Sequence, residues 1–190
     1  MEAVYLKETP IKLPVSIDWY GNPLQVSFSF ILQVTGNLLT FGAHFPAACL
    51  ALGEAEQFVD GLWKASVVEL FMYEIDSPRY IEINLSPSGA YWLAKFSDYR
   101  VRDSEIKILP IIERTLSDDG GVIVSFKTGL KELAGGKFII AQTAILSFNG
   151  VAQSLYLSRK FSQHQTAFQT LNIEPDFHQR LLGEQTHNFS

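Results

Sequence analysis

At 190 residues, with 47% hydrophobic and 18% charged side chains, the chain is long enough for one sizeable core and too apolar for disorder. Fifteen Lys+Arg against twenty Asp+Glu leave a net charge of −5, which excludes the basic footprint of a nucleic-acid binder. A single cysteine, Cys49, excludes an intrachain disulfide and a multi-cysteine zinc site, and in AACLALG it reads as a small buried hydrophobe.

The start, MEAVYLKETPIKLPVS, has no charged segment followed by an apolar run of leader length, and no stretch has the composition of a membrane span. The expectation is a cytoplasmic protein without membrane contact. No repeat or Pro/Gly/Ser-rich linker divides the sequence, so residues 1–190 read as a single domain.

In chain order, the recurring signal is a two-residue alternation in short runs closed by turn residues. Val26, Phe28, Phe30, Leu32 and Val34 alternate with polar positions up to Gly36-Asn37, and 38–45 is the partner strand. The segment 47–59 has the length of a helix, weakened by Gly53. Residues 67–74 (VVELFMYE) and 80–85 (YIEINL) are two strands, and Ser86-Pro87-Ser88-Gly89 turns the chain into 90–99. Strands at 106–115 and 122–127 flank Asp118-Asp119-Gly120-Gly121, a hairpin signal. Residues 128–134 form a turn or two of helix stopped by Gly135-Gly136, and strands follow at 138–148 and from 155. Nine or ten strands without helical crossovers predict an antiparallel β-sandwich.

Alternation also sorts the central residues onto faces. Val68, Leu70 and Met72, with Ile81, Ile83 and Leu85, form an aliphatic face. Glu69, Phe71 and Tyr73, with Tyr80, Glu82 and Asn84, face the other way, and Trp63 stands just before the first strand. Aromatic rings beside carboxylates and amides suit a sugar: the ring stacks on the C–H face of a pyranose while the polar groups take its hydroxyls. The bland alternative is an ordinary solvent face.

The motifs Asp60-Gly61-Leu62-Trp63, Val68-Glu69-Leu70-Phe71, Tyr80 through Gly89 (YIEINLSPSG), Phe96 and Tyr99-Arg100, with Glu174-Pro175-Asp176-Phe177-His178 near the end, resemble a bacterial family of uncharacterised DOMON-like proteins. That family is related in fold to the family 9 carbohydrate-binding modules. The resemblance implies a jelly-roll or immunoglobulin-like β-sandwich. It also implies that Trp63 and Glu69 match the first stacking aromatic and the acidic hydroxyl acceptor, and that Asn84 belongs to the next strand's motif. Glu82 stands where the sugar-binding modules tend to present an arginine. Their second tryptophan has no match after Trp92, and Tyr156 is the aromatic in its region.

Other chemistries are weaker. Haem ligation, known among DOMON relatives, would draw on Met72, but its parity makes it core, and none of His44, His164, His178 and His187 is singled out as a partner. Asp118-Asp119 is explained by its turn without calcium, and no cofactor or metal is assigned. Nucleophile-elbow, phosphate-loop and His-Glu-x-x-His motifs are absent, and Glu69 with Glu82 as a glycosidase pair would need a deep, dry cleft. Arg79, Lys95, Arg100, Arg102 and Lys107 are scattered among acids and read as solvated surface, with Arg100 and His178 alternatively at a turn or the pocket rim. The expectation is a non-catalytic module binding a saccharide or sugar-like molecule through Trp63, Glu69, Phe71, Tyr73, Glu82, Asn84 and Tyr156. The alternative from another class is an interaction or structural module that pairs as a homodimer through the same aromatic face.

Overall fold

The computed structural model describes residues 11–18, 22–74, 77–133, 138–148 and 155–158. Its strands form two antiparallel sheets. The first is made, from edge to edge, of Ile11–Ile17 (β1), Pro23–Thr35 (β2), Leu38–Phe45 (β3), Val122–Gly129 (β9) and Ile111–Leu116 (β8). The second is made, likewise in spatial order, of Leu155–Ser158 (β11), Phe138–Leu146 (β10), Val67–Glu74 (β4), Tyr80–Leu85 (β5), Tyr91–Asp98 (β6) and Val101–Glu105 (β7).

The β-sandwich follows from the alternation. Phe28, Phe30, Phe41, Phe45 and Phe126 of the first sheet meet Val68, Leu70, Met72, Ile81, Ile83 and Leu85 of the second in one buried cluster. Met72 is core, as its parity requires. The sheet of β3 and β9 tolerates no side chain at Gly42, where a Cβ would stand 2.0 Å from the Val124 carbonyl oxygen.

Two expectations change. Residues 47–59 are not a helix. Ala48 and Glu56 have left-handed backbones, and the segment's N–H groups bond outward, Leu50 to the Ser147 carbonyl and Glu56 to that of Gly89. Phe58 forms a parallel bridge with Tyr91, so non-local pairing outcompetes local helix here. The helix after β9 is the short α1, Leu130–Leu133. The strand expected over 106–115 begins only at Ile111: 106–110 carry the chain from the second sheet to the first, and Tyr91 donates its hydroxyl to the Ile108 carbonyl. The 101–105 strand, wholly exposed and without alternation, carried no periodic signal.

Among the described residues no helix is long and apolar enough to cross a membrane.

Candidate functional site

The second sheet is apolar on both sides. Its outer face holds a smaller cluster in which Leu62, Val67, Phe71, Tyr80, Trp92, Phe96 and Ile145 are buried. The wet face expected from parity is thus corrected. The reason is the segment 51–65, which continues the sheet where β7 leaves β6: Tyr91 donates to the Gln57 carbonyl and Val59 donates to the Tyr91 carbonyl. It then turns at Asp60-Gly61, where Gly61 has φ 82°, into a single 3-10 turn, Leu62–Lys64. Leu62 plugs the outer cluster, and Trp63 is left as its exposed ring, 37% accessible. Ser66 anchors the turn's exit, donating its hydroxyl to the Ser147 carbonyl and accepting from the Ser147 N–H, both at 2.9 Å.

Beside Trp63 the outer face opens into a cavity of about 260 Å³. Its acidic floor comes from Glu69 on β4 and Glu82 on β5. Its aromatic walls are Trp63, Phe71, Tyr80, Trp92 and Phe96, and Arg100, Arg102 and Thr143 complete it. Register explains the convergence: Glu69 pairs with Asn84 and with Thr143, and Glu82 pairs with Phe71 and with Ala94, so all share one face of adjacent strands.

The two carboxylates are held by neutral donors. Thr143 donates its hydroxyl to Glu69 Oε2 at 2.6 Å, and Asn84 donates Nδ2–H to Glu82 Oε1 at 3.0 Å. Burial pushes the Glu69 carboxyl up, against the Thr143 bond. Burial, then the Glu69 charge, pushes Glu82 up to about 8, against the Asn84 bond and, after it, Arg102 and Arg100. Glu82 therefore keeps its proton at neutral pH.

The basic side is built by the β6–β7 hairpin. Arg102 reaches back to Asp60 with both terminal nitrogens, at 3.2 and 3.3 Å, and its guanidinium lies 4.5 Å from the Trp92 ring centre. Trp92 in turn meets Trp63 edge-to-face at 5.6 Å. Arg100 occupies the turn with φ 56° and donates its backbone N–H to the Tyr80 hydroxyl at 3.2 Å. The expectation that Arg102 is merely solvated surface is corrected, and Arg100, expected alternatively at a turn or the pocket rim, stands in the turn: both line the cavity, because a two-residue turn folds β7 back along β6.

Trp63, Glu69, Phe71, Glu82 and Arg100 are thus brought together. Tyr73 and Asn84 lie off the cavity lining. Tyr73 stacks on Tyr80 at 5.8 Å, which stacks on Phe96 at 4.5 Å, forming an aromatic row across three strands. Asn84 is fully buried, bracing Glu82. The exposed aromatic contact face of the alternative reading is likewise corrected, since Phe71 is 5% accessible and Tyr73 half-buried. Tyr156 belongs to β11, paired through its backbone with Ile145, but its side chain lies outside the described residues, as does His178. The alternation of β6 would have found Trp92 and Phe96, which share the parity of Ala94 and oppose Asn84 and Tyr80. Arg102 and Thr143 had no such signal.

The described residues hold no group of three or more His, Cys, Asp or Glu able to bind a metal.

No family model matches the sequence, and no curated protein does. A solved structure from Bacteroides uniformis ATCC 8492, named "putative carbohydrate-binding protein", is similar in fold, with a TM-score of 0.58 over 83% of this chain and 81% of that one, at 11% identity. At that identity the likeness speaks for the β-sandwich alone.

Proposed function

We propose that this protein is a non-catalytic binding module of the DOMON-like kind, taking a saccharide or sugar-like molecule in the outer-face cavity. One observation carries the reading: an accessible indole, two carboxylates and two guanidinium groups line the same small cavity. Trp63 offers the stacking surface. Glu69 and Glu82 take ligand hydroxyls, Arg100 and Arg102 donate at the mouth, and Phe71 forms part of the apolar wall. Asn84 fixes the Glu82 rotamer, and Tyr73 stiffens the wall by stacking on Tyr80. Tyr156, on the strand beyond Thr143, is proposed to close the opposite side, and His178 to stand at the rim or a nearby turn. The similar fold of a protein named for carbohydrate binding is consistent with this assignment.

Isothermal titration with mono- and disaccharides and cell-wall sugars tests it. Micromolar to millimolar binding that falls about tenfold or more in Trp63→Ala is expected, the loss of one stacking face. Absence of binding at millimolar sugar, or a Trp63→Ala variant that binds unchanged, overturns it.

One observation favours a catalytic reading. Glu82 holds its proton at neutral pH beside a second carboxyl group, as a glycosidase acid does. Release of nitrophenol from aryl glycosides, abolished by Glu82→Gln, would replace the binding reading by that one.

A further inference from the structure

Acceptors outnumber donors on the cavity floor. Glu69 has Oε2 engaged by Thr143, and Glu82 has Oε1 engaged by Asn84. Among the described residues the other oxygen of each carboxylate carries no hydrogen bond, and neither side chain has an ion pair. Asn84, wholly buried on the same face, has Oδ1 without any partner. The two unmatched carboxyl oxygens belong to neighbouring positions, Glu82 lying diagonally across from Glu69, whereas Asn84, off the cavity lining, only braces Glu82. Diagonal cross-strand residues are about 7–8 Å apart at the backbone, a gap that two glutamates span with one small group between them.

The cavity's own cations do not fill this role. Arg102 is committed to Asp60 by both terminal nitrogens, and Arg100 rises from the turn at the mouth. The titratable and charged groups facing Glu82 are Glu69 from β4, Tyr80 from its own strand, Arg102 from β7 and Arg100 from the turn; β6 sets only Ala94 opposite it. Of these, the two guanidiniums weigh least on the Glu82 proton, less than burial, the Glu69 charge or the Asn84 bond. Neither acid has an ion pair among the described residues, so the floor suits a ligand that brings a positive charge into contact with it.

We infer that the site is specific for an amino sugar, its protonated amine seated between Glu69 and Glu82 and its ring stacked on Trp63. A primary ammonium is compact and carries three donors and no acceptor, the complement of the two unmatched carboxyl oxygens once Glu82 is ionised. The same sugar's hydroxyls remain for the mouth arginines and for the indole N–H of Trp92, a buried donor that also lacks a partner. Seating the cation ionises Glu82, because an adjacent positive charge favours the carboxylate, so its proton passes to the buffer. The inference rests on the reading of this cavity as a saccharide site.

Titration of the full chain with glucosamine, glucose, N-acetylglucosamine and glucuronic acid, near neutral pH in two buffers of different ionisation enthalpy, tests it. Glucosamine is expected to bind at least about tenfold more tightly than the other three, with net proton release. Glu69→Gln and Glu82→Gln should each pull the glucosamine-to-glucose affinity ratio toward one. Glucose or N-acetylglucosamine binding as well as glucosamine overturns the amine inference and leaves the sugar site standing; so does tightest binding of glucuronic acid. Silence toward all four overturns the amine inference together with the sugar reading.

Discussion

Asn84, fully buried on β5, donates a 3.0 Å hydrogen bond to Glu82 two residues earlier on the same strand and same face. The bond orients one of two acids that the outer cluster encloses with aromatic rings. It also makes the pair sensitive to protonation, since a neutral amide rather than a cation steadies the carboxyl group.

Stability should therefore fall as pH rises. Glu82 titrates near 8 in the fold and near 4.5 when exposed, and Glu69 is displaced in the same direction. Between those values the folded state holds protons that the unfolded chain has released, so these groups' contribution is full below about pH 4.5 and is lost toward pH 8. A tenfold difference in proton affinity between the two states corresponds to about 1.4 kcal/mol, so Glu82 should cost a few kcal/mol across that window, with Glu69 acting in the same direction. Asp119, bonded to the Gly121 N–H and held below its usual range, acts in the opposite sense and only at more acidic pH. Urea denaturation at pH 5 and pH 8 checks the slope. Glu82→Gln, which carries no charge to bury, should flatten it and be the more stable protein at pH 8.

Arg100 trades backbone strain for position. Its φ of 56° is a left-handed conformation that costs a non-glycine residue about 1 kcal/mol or more. Arg100→Gly should leave the denaturation midpoint equal or higher while weakening sugar affinity several-fold through loss of the guanidinium. A marked loss of stability would show that the side chain's packing outweighs the strain.

Ser66 ties the Trp63 turn to β10. Its hydroxyl is engaged in two bonds with Ser147, and Ser66→Ala would remove both, although the Ser147 carbonyl keeps its bond from the Leu50 N–H. A loss of about 1–3 kcal/mol is expected in urea denaturation. Quenching of Trp fluorescence by acrylamide should rise as the turn loosens.

Gly42→Ala should be far more damaging than its single methyl suggests. The added Cβ would collide with backbone, the Val124 carbonyl and the Ser125 Cα at 2.8 Å, which cannot rotate away. Destabilisation of about 3 kcal/mol or more, seen as insoluble expression or loss of the cooperative transition, is the expected result.

Much of the architecture is legible in local alternation. The strands Leu38–Phe45, Val67–Glu74 and Tyr80–Leu85 coincide with the runs read from the sequence, and Val68, Leu70 and Met72 face the sandwich core as their spacing requires. Part of the site was legible by the same rule, because Glu69, Phe71 and Glu82 sit on the opposite parity of two paired strands. Arg102 was illegible: β7 is exposed at every residue, so no apolar period marks which way its side chains point.

Side-chain periodicity, a property of the extended backbone, determined from sequence alone which residues share a sheet face and which of those faces is the main core. Only the tertiary structure decided that the other face is also closed over, because the segment 50–66 is held there by hydrogen bonds to Gly89, Tyr91 and Ser147 rather than by any local preference. That covering removes water from two carboxylates whose charges the sequence would count as solvated. The same enclosure that leaves Glu69 and Glu82 only half-exposed is what gives the cavity its chemistry.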